Sequence, residues 1–205
     1  KAIDIYPNYS EGLTNYGLIL QKGRNYELAS AQFEKALSIN PNSDEALLNL
    51  SKAYFNEGRL SESIEIAKKG LSLKPLNIPL IKNLIASYLL LNMFDEASVE
   101  CKKILSVDKN DADAINLMGT IYEKKGFYDE AKTYFLRAIE LDKSFVLAKL
   151  NIAALYLLEG NVDEAGRVYT NIEKEQSDNP EVLHRKSAYA LKMENFEEGW
   201  RYYEN

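Results

Sequence analysis

A repeat of fixed length constrains this chain more than any other feature. Asp95-Glu96-Ala97, Asp129-Glu130-Ala131 and Asp163-Glu164-Ala165 are one tripeptide recurring every 34 residues, and Glu197-Glu198-Gly199 stands at the next interval. Just ahead of the tripeptide runs an apolar column, Tyr26, Leu60, Phe94, Tyr128, Val162 and Phe196. The residue that ends the tripeptide belongs to a small column, Ala29, Ser63, Ala97, Ala131, Ala165 and Gly199. Six units share one register without a slip. A period of this length marks a unit that cannot bury its apolar face alone and must stack on its neighbours.

Further columns say what the unit contains. Leu20, Tyr54, Tyr88, Tyr122, Tyr156 and Ala190 are bulky in most units, as are Phe33, Ala67, Cys101, Phe135, Tyr169 and Tyr203. Three residues before the first of these runs a mostly small column, Gly17, Ser51, Ile85, Gly119, Ala153 and Ser187, with room in five of its six members for another helix to approach. Apolar residues recur at helical spacing around it, as in Leu47, Leu50 and Tyr54, and no stretch alternates as a half-buried strand would. Gly58, Gly126 and Gly160 fall midway through their units, where a helix must stop and a positive φ is least costly for glycine. Pro41 and Pro75 close two units, with Lys109 and Lys143 at the same place later. The expected units are 10–43, 44–77, 78–111, 112–145, 146–179 and a shortened 180–205, preceded by the end of another at 1–9.

Gly17, Leu20, Ala29, Phe33, Ala36 and Pro41 in the first unit, and Gly119, Tyr122, Ala131, Phe135 and Ala138 in the fourth, resemble the tetratricopeptide repeat family. The resemblance covers essentially the whole chain. It implies an all-α fold, a right-handed superhelical solenoid of antiparallel helix pairs whose first helices line a concave groove. Departures from the pattern are local: no unit has Trp at the start of its first helix, Ile85 replaces a small residue, and Lys149 and Lys186 occupy columns apolar elsewhere. Ala2 and Pro7 stand 34 residues before Ala36 and Pro41, so a lone helical end is expected at 1–6. With neither end polar enough to cap a solenoid, the chain reads as a fragment of a longer protein. The final Gly199-Trp200 followed by Tyr203-Glu204 resembles the last repeat of bacterial tetratricopeptide proteins that continue into a glycosyltransferase-type domain.

Composition and motif content narrow the function. The net charge is −6 with cations scattered among the acids, so there is no basic stripe for a nucleic-acid backbone. No apolar run is long enough for a membrane span. The one cysteine, Cys101, cannot form an internal disulfide, which fits a reducing, cytoplasmic setting. Its bulky-column position makes it a buried small hydrophobe rather than a nucleophile. His184 is the only histidine and has no glycine-rich elbow beside it, so it is a solvated or capping residue. No zinc, phosphate-loop or calcium-loop motif occurs, and neither a cofactor nor catalysis is expected. The repeated Asp-Glu pairs sit where a second helix begins and favour the positive end of its dipole.

What remains is recognition of a protein or peptide. Asn15, Asn49, Asn83 and Asn151 share one column, interrupted by Leu117 and ended by Arg185. Asparagine is a mediocre helix former, so four in register ask for a reason. They either tie one repeat to the next or hold a peptide backbone, since an amide offers both a donor and an acceptor. By the family resemblance the column faces the groove and is similar to the ladder with which O-linked N-acetylglucosamine transferases grip extended peptides. Lys22, Lys52, Asn56, Lys82 and Lys124 would face it too, with Leu89, Leu90, Leu157 and Leu158. Two parent proteins fit these residues: a scaffold binding an extended peptide or partner helix, or the substrate-docking arm of a protein glycosyltransferase. Uncapped ends would also permit self-association.

Overall fold

The structure of the chain, a computed structural model, describes residues 9–175, 179–195 and 199. Eleven α-helices and no strand occur among them. In chain order these are α1 (Ser10–Lys22), α2 (Tyr26–Ile39), α3 (Asp44–Asn56), α4 (Leu60–Leu73), α5 (Ile78–Leu90), α6 (Phe94–Val107), α7 (Ala112–Lys124), α8 (Tyr128–Leu141), α9 (Val146–Leu158), α10 (Val162–Glu175) and α11 (Pro180–Lys192). Odd-numbered helices are the first of a pair and even-numbered helices the second. The helical end expected at 1–6 and the Trp200 to Glu204 segment lie outside the described residues. The chain divides into two compact units, residues 1–109 and 110–205.

Most boundaries have a cause that repeats with the register, although α1 and α9 begin after Tyr9 and Phe145 with no side-chain cap. Ser43, Asn77, Asp111 and Asn179 are spaced by whole repeats, and each side chain caps the start of a first helix by accepting a backbone N–H. The second helices α2, α4, α6 and α8 lack such a cap, and α6, α8 and α10 carry Asp and Glu in their first turn. The turn between the two helices requires a left-handed residue in every described unit. Gly58, Gly126 and Gly160 sit at φ of 78°, 82° and 78°, and Arg24, Asn92 and Glu194 at 59°, 57° and 58°. After each, a backbone N–H reaches back five residues, as from Arg59 to Tyr54 at 2.9 Å and from Phe127 to Tyr122 at 2.9 Å. That bond satisfies a carbonyl orphaned at the helix end.

Packing follows the columns. Ala29, Ala97, Ala131 and Ala165 are fully buried, as are Phe33 and Phe135. Gly17 lies against Phe33 and Gly119 against Phe135 so closely that an added Cβ would come within 2.5 Å of the ring in either pair. Cys101 is fully buried on α6. Lys186 is buried and Lys149 half-buried in columns that are otherwise apolar, which their aliphatic stems permit.

Candidate partner-binding face

Within the first unit α1 lies beside α3 and α3 beside α5; within the second, α7 lies beside α9 and α9 beside α11. The first helices of each unit therefore form a layer of their own, and it carries the residues picked out by the register. In the first unit Asn15, Lys22 and Asn56 are exposed, Leu90 is 60 % exposed, and Lys52, Lys82, Asn83 and Leu89 are half-buried. In the second, Lys124 is exposed beside Glu123, Leu158 is 61 % exposed, and Asn151 and Leu157 are half-buried.

The asparagines divide by what their amides do. Asn49 is buried and donates to the Glu45 carbonyl of its own helix at 2.9 Å, while Asn56 donates to the Lys52 carbonyl at 2.8 Å. Asn83 reaches across to the preceding pair, donating to the Ser51 hydroxyl and, at 3.4 Å, to the Ser63 hydroxyl. Those serines are fully buried and joined hydroxyl to carbonyl at 3.1 and 2.9 Å, with Ser87 Oγ at 3.1 Å from Ser63 Oγ. Asn151 also reaches back one repeat, donating to Asn116 Oδ1 at 3.0 Å. The gap that Leu117 leaves in the column is thus filled from the adjacent position, which register counting alone passes over. Arg185, at the column's end, bonds Glu181 on its own helix at 2.8 Å.

Other features of this layer carried no motif. Leu147 is 47 % exposed on α9, one turn before Asn151, and extends the apolar stretch of Leu157 and Leu158. Tyr54 donates to Glu34 Oε1 at 2.6 Å while the Arg59 guanidinium lies 4.0 Å from its ring centre. Burial, then the Glu34 carboxylate, pushes the Tyr54 hydroxyl up to about 12. In the second unit Lys132 sits 4.6 Å over the Tyr156 ring and 3.2 Å from Glu159 Oε2. Tyr156 and Glu159 are the register equivalents of Tyr54 and Glu57, so alignment of the units would have flagged both clusters. His184 is exposed on α11. Among the described residues no group of three His, Cys, Asp or Glu could hold a metal ion, and no helix is long and apolar enough to cross a membrane.

With this geometry in hand, known proteins can be compared. Tetratricopeptide repeat profiles match residues 20–88 and 112–145, together half of the chain. Comparison with curated protein sequences returns no match. Among solved structures, a thermophilic TPR protein of Thermus thermophilus is similar with a TM-score of 0.77 at 22 % identity, over 89 % of this chain and 99 % of that one. The Pseudomonas aeruginosa pilF protein is similar with a TM-score of 0.71 at 19 % identity, over 94 % and 88 % of the two chains. YrrB, described as a TPR protein with an unusual peptide-binding site, is similar with a TM-score of 0.62 at 22 % identity, over 91 % and 96 %. Identities at this level speak for a shared fold.

Proposed function

The chain belongs to the tetratricopeptide repeat family, and from that premise we propose that it is a protein-interaction scaffold whose first helices hold an extended peptide or a partner helix. One observation carries the proposal. The layer of first helices keeps polar and apolar side chains exposed along it, Asn15, Lys22, Asn56 and Leu90 in one unit and Lys124, Leu147 and Leu158 in the other. Exposed apolar side chains together with amides and ammonium groups match the composition of a binding face. The similarity to YrrB, whose description includes a peptide-binding site, is in keeping with it.

The amides of Asn83 and Asn151 take the role of ties between repeats in this reading. Contact with the partner then falls to Asn15, Lys22, Asn56, Lys124 and the exposed leucines, with Lys52, Lys82, Leu89 and Leu157 beneath them. Repeats 10–43, 44–77, 78–111, 112–145 and 146–179 are the modules that present these residues. Random peptides displayed on phage and selected on the intact chain provide the test. Binders should weaken by about tenfold or more when Lys22, Asn56 and Leu90 are all replaced by Ala, since three contacts of about 0.5–1.5 kcal/mol each are removed. The helical spectrum should not change. Binders indifferent both to that variant and to Leu147→Ala with Leu158→Ala would place recognition on another surface.

A further inference from the structure

Glu57 follows α3 at the turn into α4, and its side chain is only 7 % exposed. Its Oε1 is buried with no hydrogen-bond partner among the described residues. The other oxygen faces Arg59 Nη1 at 3.3 Å, but that guanidinium is 42 % exposed and shared with Glu62 at 3.0 Å. Glu57 lines a cleft of about 400 Å³ with Arg24, Asn25, Tyr26, Glu27 and Leu28. A buried carboxylate oxygen without a donor works against folding, so its retention at a cleft calls for a donor from elsewhere.

The second unit displays what this position accepts. Glu159 is the register equivalent of Glu57, and there Lys132, from the second helix of the preceding pair, lies 3.3 and 3.2 Å from the two carboxylate oxygens. The register equivalent of Lys132 in the first unit is Ser30, a buried residue whose hydroxyl donates to the Glu27 carbonyl at 3.0 Å. Acceptor and cleft are therefore present in the first unit, while the position that supplies the ammonium in the second carries a serine.

We propose that this cleft takes a lysine side chain from a partner protein. The ammonium donates to Glu57 Oε1 and the methylene stem runs against Tyr26 and Leu28. Glu27 and Glu57 outnumber Arg24 among the charges of the lining, so a cation is the favoured guest. The site lies at the turns that follow α1 and α3, close in sequence to Lys22 and Asn56 of the face proposed above, but is lined by other residues.

The test is a titration of the intact, isotope-labelled chain at low salt with N-acetyl-lysine methylamide, followed through backbone amide resonances. N-acetyl-norleucine methylamide, which has an uncharged stem, serves as the control. Saturable shifts at residues 24–28 and 57–60 are expected with the lysine compound alone. Glu57→Gln should weaken them by about tenfold or more, since it exchanges a charge-assisted bond for a neutral one. Ser30→Lys should supply the ammonium from within and abolish the response. If that variant does not fold, Glu57→Gln still decides. Equal shifts with norleucine, no saturation, or indifference to Glu57→Gln would overturn the proposal. Unchanged shifts in the Lys22, Asn56 and Leu90 alanine variant would keep this site separate from the fate of the first-helix face.

Discussion

The two units run on one register and fill it with different chemistry. In the first, Ser51, Ser63 and Ser87 are buried around the amide of Asn83. Three repeats on, Ser51 and Ser63 become Ala153 and Ala165, both buried, and Ser87 becomes the half-buried Tyr189. The second unit adds ring contacts instead, with Tyr122 stacked on Tyr134 at 5.2 Å and Tyr169 against Tyr189 at 5.1 Å. Both units nevertheless make the same helix pairs and the same left-handed turns. What the register demands is size at a few columns and a turn that a left-handed residue can make. The polarity of the layer between them is free to vary, which is what a scaffold needs if its units are to meet different chemistry.

The strongest way to break that conclusion is to violate size. Ala131 is fully buried where α8 packs, and Ala131→Leu forces extra methylenes into a filled core, costing about 1–3 kcal/mol or more. Asp129→Ala, two residues away and exposed, removes only a helix-terminus charge worth about 0.3–1 kcal/mol. Denaturant melts of the two variants should differ clearly in midpoint. Equal losses would mean that the small column is not what fixes the spacing.

A smaller effect separates the polar ties. Asn83→Ala takes a donor away from two buried serine hydroxyls, whereas Asn151→Ala takes one from a single amide oxygen. The first should cost about 1–2 kcal/mol and the second about 0.5–1.5 kcal/mol, each offset slightly by the better helix propensity of Ala. Thermal melts of the two single variants give the order. The reverse order would locate the firmer tie in the second unit, despite its more apolar packing.

The fold is legible because each column repeats six times, so that one irregular member cannot hide the pattern. Ile85, in a small column, is simply buried at zero exposure, and Lys186 is accommodated in an apolar one. Glycines at 58, 126 and 160 point to the turn, but Arg24, Asn92 and Glu194 adopt the same conformation without advertising it. The capping column of Ser43, Asn77, Asp111 and Asn179 escapes a search for matching residues, since its chemistry is shared by side chains of different names. The binding face is less legible. A column shows which residues share a helix face, but not whether an amide turns to solvent or to its neighbour. Asn15 is exposed while Asn83, in the same register, bonds inward because Ser51 and Ser63 happen to be serines.

The smallest expected effect concerns the turn that both units share. Glu194, in the second unit, holds φ at 58°, where a side chain with a Cβ costs about 1–2 kcal/mol relative to the right-handed region. Replacing it by glycine removes that strain but adds freedom to the unfolded chain worth about 0.5–1 kcal/mol. The net gain for Glu194→Gly is thus about 0–1.5 kcal/mol. Arg24→Gly, at the matching turn of the first unit, should gain as much only if its side chain contributes nothing of its own. Any shortfall against Glu194→Gly measures what Arg24 adds at the Glu57 cleft it lines. Asn92→Gly should move stability least of the three, since asparagine tolerates this conformation. Gly126→Glu runs the same experiment backwards, and with nothing within 4 Å of an added Cβ its loss is backbone strain less the unfolded-chain freedom that glycine had. Thermal midpoints of the four variants, measured together, should fall in that order from gain to loss; a loss for Glu194→Gly would mean that unfolded-chain freedom outweighs left-handed strain at this turn.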